Sequence, residues 1–220
     1  MALERDTVIT AALNLLDEVG LDNLTMRRLA SVLEIKAASL YWHFESKQAL
    51  MDGMADALMA DVACEPPVRQ RKYQDAFARV TRIAHEIRGA LLARRDGARV
   101  YAGTYVVTDN VMRVAEAMIR PLREQGATTR LASWSAFSIL DYVLGFVMEE
   151  QGFSSSDISP SEMITRRAAF EALAAQSYPH VAASMDDVFN LDFDSRFELG
   201  LNIFIAGLRL HLSPPLETAS

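Results

Sequence analysis

Thr25-Met26-Arg27-Arg28-Leu29-Ala30-Ser31-Val32-Leu33-Glu34-Ile35-Lys36-Ala37-Ala38-Ser39-Leu40-Tyr41-Trp42-His43-Phe44 is the stretch on which the reading of this chain turns. Thr25 is placed to cap a helix running to about Glu34, because its hydroxyl can accept from a backbone N–H left free in the first turn. Met26, Leu29, Ala30 and Leu33 then fall where they pack inward, while Arg27, Arg28 and Ser31 face out. A short turn, Ile35-Lys36-Ala37, leads into a brief helix ending near Phe44. Leu40 and Phe44 form an i, i+4 pair suited to a core, which leaves Ser39, Tyr41, Trp42 and His43 nearer the outer side. Two short helices joined by a tight turn are the parts a reader of the DNA major groove needs.

Outward from that stretch the pattern stays helical, with no sustained alternation of period two. Residues 5–19 carry Val8, Ile9, Ala12, Leu13, Leu15, Leu16 and Val19 on one apolar stripe, and Gly20 is placed to end that helix in a left-handed conformation. Ser46 can cap a connecting helix over 47–63. Cys64-Glu65-Pro66-Pro67 breaks the pattern at 64–71, after that helix; the chain divides into a reading head (1–47) and a larger body (48–220) that begins with the connecting helix. Further helices are predicted over 72–94, 109–125, 128–151, 162–176 and 193–212, with a turn-rich piece at 96–104. Gly152 to Ser161, rich in serine, reads as a mobile surface loop. The predicted fold class is all-α.

Composition narrows the function classes. Half of the 220 residues are apolar, enough for a sizeable core. No apolar stretch reads as a membrane span, and the charged start (Glu4, Arg5, Asp6) has no signal-peptide core, so a cytoplasmic protein with no membrane partner is expected. Cys64 is the one cysteine, which excludes an internal disulfide and a cysteine zinc site. Net charge is −7, and the first fifty residues hold five basic against seven acidic side chains. Bulk charge therefore gives nucleic-acid binding no support, and the case rests on where the cations sit.

At two segments the chain resembles the TetR family of repressors. They are Gly20-Leu21-Asp22-Asn23-Leu24-Thr25-Met26-Arg27-Arg28-Leu29-Ala30 and Ala38-Ser39-Leu40-Tyr41-Trp42-His43-Phe44-Glu45-Ser46-Lys47-Gln48-Ala49-Leu50. The body resembles the tetracycline-repressor subgroup at Leu91 to Thr104, at Leu144 to Gln151 and at Phe197 to Leu208. The resemblance implies a homodimer that binds a near-palindromic double-stranded operator and leaves it when a small molecule occupies the body. It also implies a dimer interface built from helices 128–151 and 193–212. The wide apolar face of the last helix, with Leu191, Phe193, Phe197, Leu201, Phe204, Ile205 and Leu208, suits such an interface on its own terms.

Candidate DNA contacts follow from placement and from the resemblance together. Arg27 and Arg28 open the second helix, where they can meet phosphate or a guanine edge. Thr25 caps the same helix and can bring free N–H groups to phosphate. Lys36, Ala37, Ala38 and Ser39 lead the reading helix. The two alanines offer only apolar contact, such as to a thymine methyl, so specificity is shared with Arg27, Lys36 and DNA shape. Tyr41 and His43 are candidate base or phosphate contacts, Trp42 is expected to pack while touching the backbone, and Lys47 resembles the family's phosphate-binding lysine.

In the body, the subgroup's pocket holds a magnesium–drug chelate through a histidine. This chain carries Tyr101 at that histidine's position, and Ala63, Ile83 and Met118 where other drug-binding polar groups stand. Glu149 alone matches the water-mediated metal shell, too few oxygen ligands for magnesium, so no metal, cofactor or tetracycline is expected. Ile83, Ile87, Tyr101, Tyr105, Met118, Trp134, Phe137, Asp141 and Glu149 are the candidate ligand-binding residues. Such a lining suits a lipophilic or aromatic effector held by a few hydrogen bonds, although the same side chains at helical spacing also make ordinary core. His85 reads as a surface histidine. No catalytic constellation appears at recognisable spacing. The competing reading is a small-molecule-binding protein with a weak DNA head.

Overall fold

The computed structural model describes residues 4–64, 75–154 and 158–212, and all its regular elements are helical. They are α1 (Arg5–Val19), a 3-10 turn (Leu21–Asn23), α2 (Met26–Val32), α3 (Ala37–Leu40), α4 (Lys47–Leu58), α5 (Ala76–Leu92) and α6 (Gly97–Ala102). Then come α7 (Asp109–Glu124), α8 (Thr129–Ser154), α9 (Pro160–Ser177), α10 (Pro179–Ala183), α11 (Met185–Val188) and α12 (Phe193–Leu212).

The predicted caps hold. Gly20 ends α1 at φ 74° with its N–H on the Leu16 carbonyl. The Thr25 hydroxyl accepts from the Arg28 N–H at 3.2 Å, and the Ser46 hydroxyl accepts from the Ala49 N–H at 3.0 Å. Several bounds are shorter than predicted. α2 stops at Val32, since Glu34 takes a left-handed φ of 54°. α3 is a single turn, continued irregularly to Phe44, whose N–H reaches the Leu40 carbonyl at 2.9 Å. α4 ends at Leu58, and residues 59–63 form turns that finish at a left-handed Ala63. The break predicted at 64–71 lies outside the described residues beyond Cys64.

The serine-rich loop is also shorter. α8 runs on to Ser154, and Ser159 caps α9 by accepting from the Glu162 N–H. Residues 155–157 lie outside the described residues.

In the head, α1 packs on α2 and α4, and α2 on α3. In the body, α5 is the central helix, packed on α6, α7, α8 and α12. Buried side chains form one continuous cluster from Leu16, Leu29 and Phe44, through Leu50 and Met54 on α4, to Ile83, Ile87, Ile139 and Phe197. At about 25 cal/mol per Å² of apolar surface, that continuity ties α4 to both halves.

α8 corrects one expectation: it is long and apolar enough to cross a membrane by length and composition. Its packing explains the apolarity otherwise. Ala132, Ser135, Ala136, Ile139, Val143 and Val147 face α5, α6, α7 and α12, while Trp134, Phe137 and Met148 are left exposed. α12 repeats the pattern, burying Phe197, Leu201, Ile205 and Leu208 and exposing Leu199, Ile203 and Leu210.

Candidate DNA-binding head and effector cavity

The outer side of the head gathers the predicted contacts. Thr25, Arg27, Arg28, Lys36, Ala38, Tyr41, Trp42 and Lys47 are exposed, and Ala37, Ser39 and His43 are half-buried. Beneath them Leu29, Ala30, Leu40 and Phe44 are buried, with Met26 and Leu33 packed against that core. Trp42 departs from expectation. It is 89% exposed, while Leu40 at the end of α3 and Phe44 beyond it take the buried positions.

Two of the head's seven acidic side chains, Asp17 and Asp22, are paired on its body side. Asp17 pairs with Arg94 at 2.6 Å and accepts from the Arg95 backbone N–H at 2.9 Å. Asp22 pairs with Arg99 at 2.8 Å, and Arg99 also holds Asp96 at 3.0 Å. Asp96 in turn accepts from the Leu21 N–H at 2.8 Å. Hydrogen bonding and charge from Arg99 hold the Asp22 carboxyl below its usual range. Arg95 lies over Gly20 and donates to the Glu18 carbonyl. The turn predicted at 96–104 is thus the one-and-a-half-turn helix α6, and with Arg94 and Arg95 before it, it bonds the head.

The body holds a cavity of about 610 Å³ between α6, α7, α8 and the Thr104–Val107 segment. Of the nine predicted ligand residues, Ile87, Tyr101, Tyr105, Met118, Phe137 and Asp141 line it. Three do not. Ile83 is buried in the core one turn away from Ile87. Trp134, two turns before Asp141 on α8, is not in the lining; it is 64% exposed, with Arg130 over its ring at 4.9 Å. Glu149 borders a separate depression with Phe193 and Arg196, two turns beyond Asp141 and rotated further from the cavity side.

Sequence reasoning missed Thr104, Val111, Met112, Val114 and Ala115 in the lining. The amphipathic face of α7 was the available signal for four of them. Burial pushes the Tyr101 phenol above its ordinary value, so it stays a neutral hydroxyl. Thr104 spends its proton on the Tyr101 carbonyl at 2.8 Å.

The subgroup's magnesium site is not reproduced. Among the described residues no three His, Cys, Asp or Glu side chains come together as a metal site, and the cavity offers one carboxylate, Asp141. Those donors do not fit an octahedral ion.

Two further residues, to which the sequence assigned no role, connect cavity and head. On α7, Arg113 donates to the carbonyls of Met59 and Ala60 at 2.7 Å and Val62 at 3.1 Å. It thereby neutralises the carbonyls that end α4, where a cation is favoured. On α8, the Gln151 amide donates to the carbonyls of Leu91 at 2.9 Å and Arg94 at 2.8 Å, and accepts from the Ala98 N–H at 3.3 Å. Gly97 belongs to the same clamp, since a Cβ there would overlap the Leu91 carbonyl.

Comparison with known proteins places these features in context. The profile of bacterial regulatory proteins of the tetR family matches residues 8–54, and that of the tetracyclin repressor-like C-terminal domain matches residues 69–212. The chain is 35% identical to the class G tetracycline repressor of Vibrio anguillarum over 93% of each chain. A crystal structure of a possible TetR family transcriptional regulator from Streptomyces coelicolor is similar at TM-score 0.82 and 38% identity, covering 94% of this chain and 100% of that one. ActR from the same species, in complex with actinorhodin, is similar at TM-score 0.82 and 29% identity, covering 97% and 100%.

Proposed function

The chain belongs to the TetR family of bacterial regulatory proteins and is a ligand-responsive transcriptional regulator, and from that premise we propose that it is a homodimeric repressor released from its operator by a lipophilic small molecule. The TetR family's regulators are not enzymes, and no catalytic role is assigned. The head (1–47) reads a near-palindromic operator through Arg27, Arg28, Lys36, Tyr41, His43 and Lys47. The body (48–220) holds the effector and the dimer interface.

The observation that carries this reading is the pairing of a solvent-facing set of DNA-contact side chains with a mostly apolar 610 Å³ cavity, bonded to each other through α4 and α6. The exposed apolar flanks of α8 and α12 support a dimer built on those helices, since monomers seldom leave such patches uncovered. The Streptomyces coelicolor relative bound to actinorhodin supports a small-molecule effector.

Two connections link effector to DNA. α7 lines the cavity and caps the end of α4 through Arg113, while α8 lines it and fixes the α5–α6 turn through Gln151. An effector that favours one arrangement of α7 and α8 shifts both connections, and with them the separation of the two heads. DNA and effector then weaken each other by the same factor. Pairing of Asp17 and Asp22 with body arginines offsets the head's net charge of −2 and so favours this reading over the alternative with a weak or non-functional head.

Fluorescence anisotropy with the protein's own upstream DNA tests the proposal across a salt series. Binding should weaken steeply with salt, and Arg27→Ala and Lys47→Ala should each reduce the slope by about one. A slope near zero, or no loss in either variant, would overturn it.

A further inference from the structure

The charges around the cavity are one-sided. Among the described side chains lining it, Asp141 is the only acidic or basic one. It has no hydrogen-bond or ion-pair partner among the described residues, and it is exposed at the cavity's edge on α8. Among the described residues no lysine, arginine or histidine lines the cavity.

Of the nearby cations, two are committed elsewhere and one, Arg196, borders Asp141 from a second depression outside the cavity. Arg113 serves the carbonyls ending α4, and Arg88 holds Glu150 at 3.0 Å and Asp194 at 2.6 Å. Arg196 shares the outer depression with Asp141 and Glu149, stacked over Phe146 and Phe193. Asp109, in the first turn of α7, offsets the positive end of that helix beside the cavity.

The neutral lining adds to the same preference. Tyr101, Tyr105 and Phe137 present aromatic rings, whose faces attract positive charge, and the Tyr101 phenol is held neutral by burial. An anionic ligand would lose its hydration here and find no countercharge, whereas a cation would find a carboxylate and ring faces. We propose that the cavity selects a lipophilic cation, an aromatic body carrying one positively charged nitrogen, with the body on Val114, Met118 and Phe137 and the nitrogen against Asp141. The inference rests on the reading of this cavity as the effector site and adds the charge class of the effector.

Three anthracene probes of one shape and different charge separate the cases: 9-(aminomethyl)anthracene as the ammonium, 9-anthracenemethanol as the neutral alcohol and 9-anthracenecarboxylate as the anion. Fluorescence titration of the full chain should rank ammonium over alcohol by about tenfold, the size of a partly solvated charge pair, with carboxylate weakest. Asp141→Asn keeps shape and should erase the ammonium preference. Ala115→Trp and, independently, Leu140→Phe fill the cavity and should remove binding of every probe. If the probes bind without that order, or Asp141→Asn leaves it intact, while the filling variants abolish binding, the charge class is wrong and the cavity remains the site. If no probe binds, or the filling variants change nothing, the cavity reading fails and the charge class falls with it.

Discussion

Gln151 gives the sharpest test of how the body holds the head. Its half-buried side-chain amide makes three bonds to backbone: two donated, to Leu91 and Arg94, and one accepted, from Ala98. Gln151→Met keeps the volume and removes all three. At about 1 kcal/mol for each neutral bond, reduced for partial exposure, the loss should be about 2 kcal/mol. Gln151→Glu is nearly isosteric yet should cost more, because a carboxylate oxygen would then face two carbonyl oxygens with no proton between them. Repulsion there raises the folded-state pKa of the introduced carboxyl above its unfolded value of about 4.3. The penalty is therefore present at pH 7 and shrinks as pH falls toward about 4, where the protonated acid can donate one bond again. Urea denaturation at fixed protein concentration, run at pH 7 and near pH 4.5, measures both effects. At pH 7 the order of stability should be wild type, then Met, then Glu, with the Glu variant closing on the Met variant at low pH. A Glu variant as stable as wild type at pH 7 would refute the clamp.

Three more outcomes follow from the same geometry. Gly97→Ala should destabilise by at least 2 kcal/mol in thermal or urea denaturation, since its Cβ meets the Leu91 carbonyl, which cannot swing aside as a side chain can. Gly200→Ala puts a Cβ against the Tyr142 hydroxyl, which donates to the Phe197 carbonyl at 2.9 Å; a double-mutant cycle with Tyr142→Phe should show that the second change relieves part of the first, and strict additivity would contradict this contact. The depressed pKa of Asp22 means that its bond to Arg99 is fully present above the usual aspartate value near 3.8 and is lost as pH falls through the lower folded value. Proteolysis of the α1–α2 region should rise in that acid range in wild type, with a smaller rise in Asp22→Asn, which has already lost the charge.

How much was legible in the sequence depends on the range of the forces involved. The head was readable because its rules are local. Thr25 and Ser46 cap helices within three residues, Gly20 ends α1, and the spacing of Leu29, Ala30, Leu40 and Phe44 sets the buried side. The all-α body was readable for the same reason, although α3 shrank to one turn and left Trp42 in solvent, because periodicity does not measure how short a helix can be. The lining of the cavity was less legible. Tyr101, Met118 and Phe137 reach it while Trp134 does not, and a helix with apolar residues all round does not declare which flank meets which neighbour.

By itself the sequence determined the helices and the reading head. Only the tertiary structure decided what the charges do. It placed Asp17 and Asp22 against Arg94 and Arg99, put Asp141 at the cavity's edge with no partner among the described residues, and set Arg113 and Gln151 on backbone carbonyls of other helices. Helix formation is governed by neighbours a few residues apart, whereas these pairs join positions more than fifty residues apart that only packing brings together.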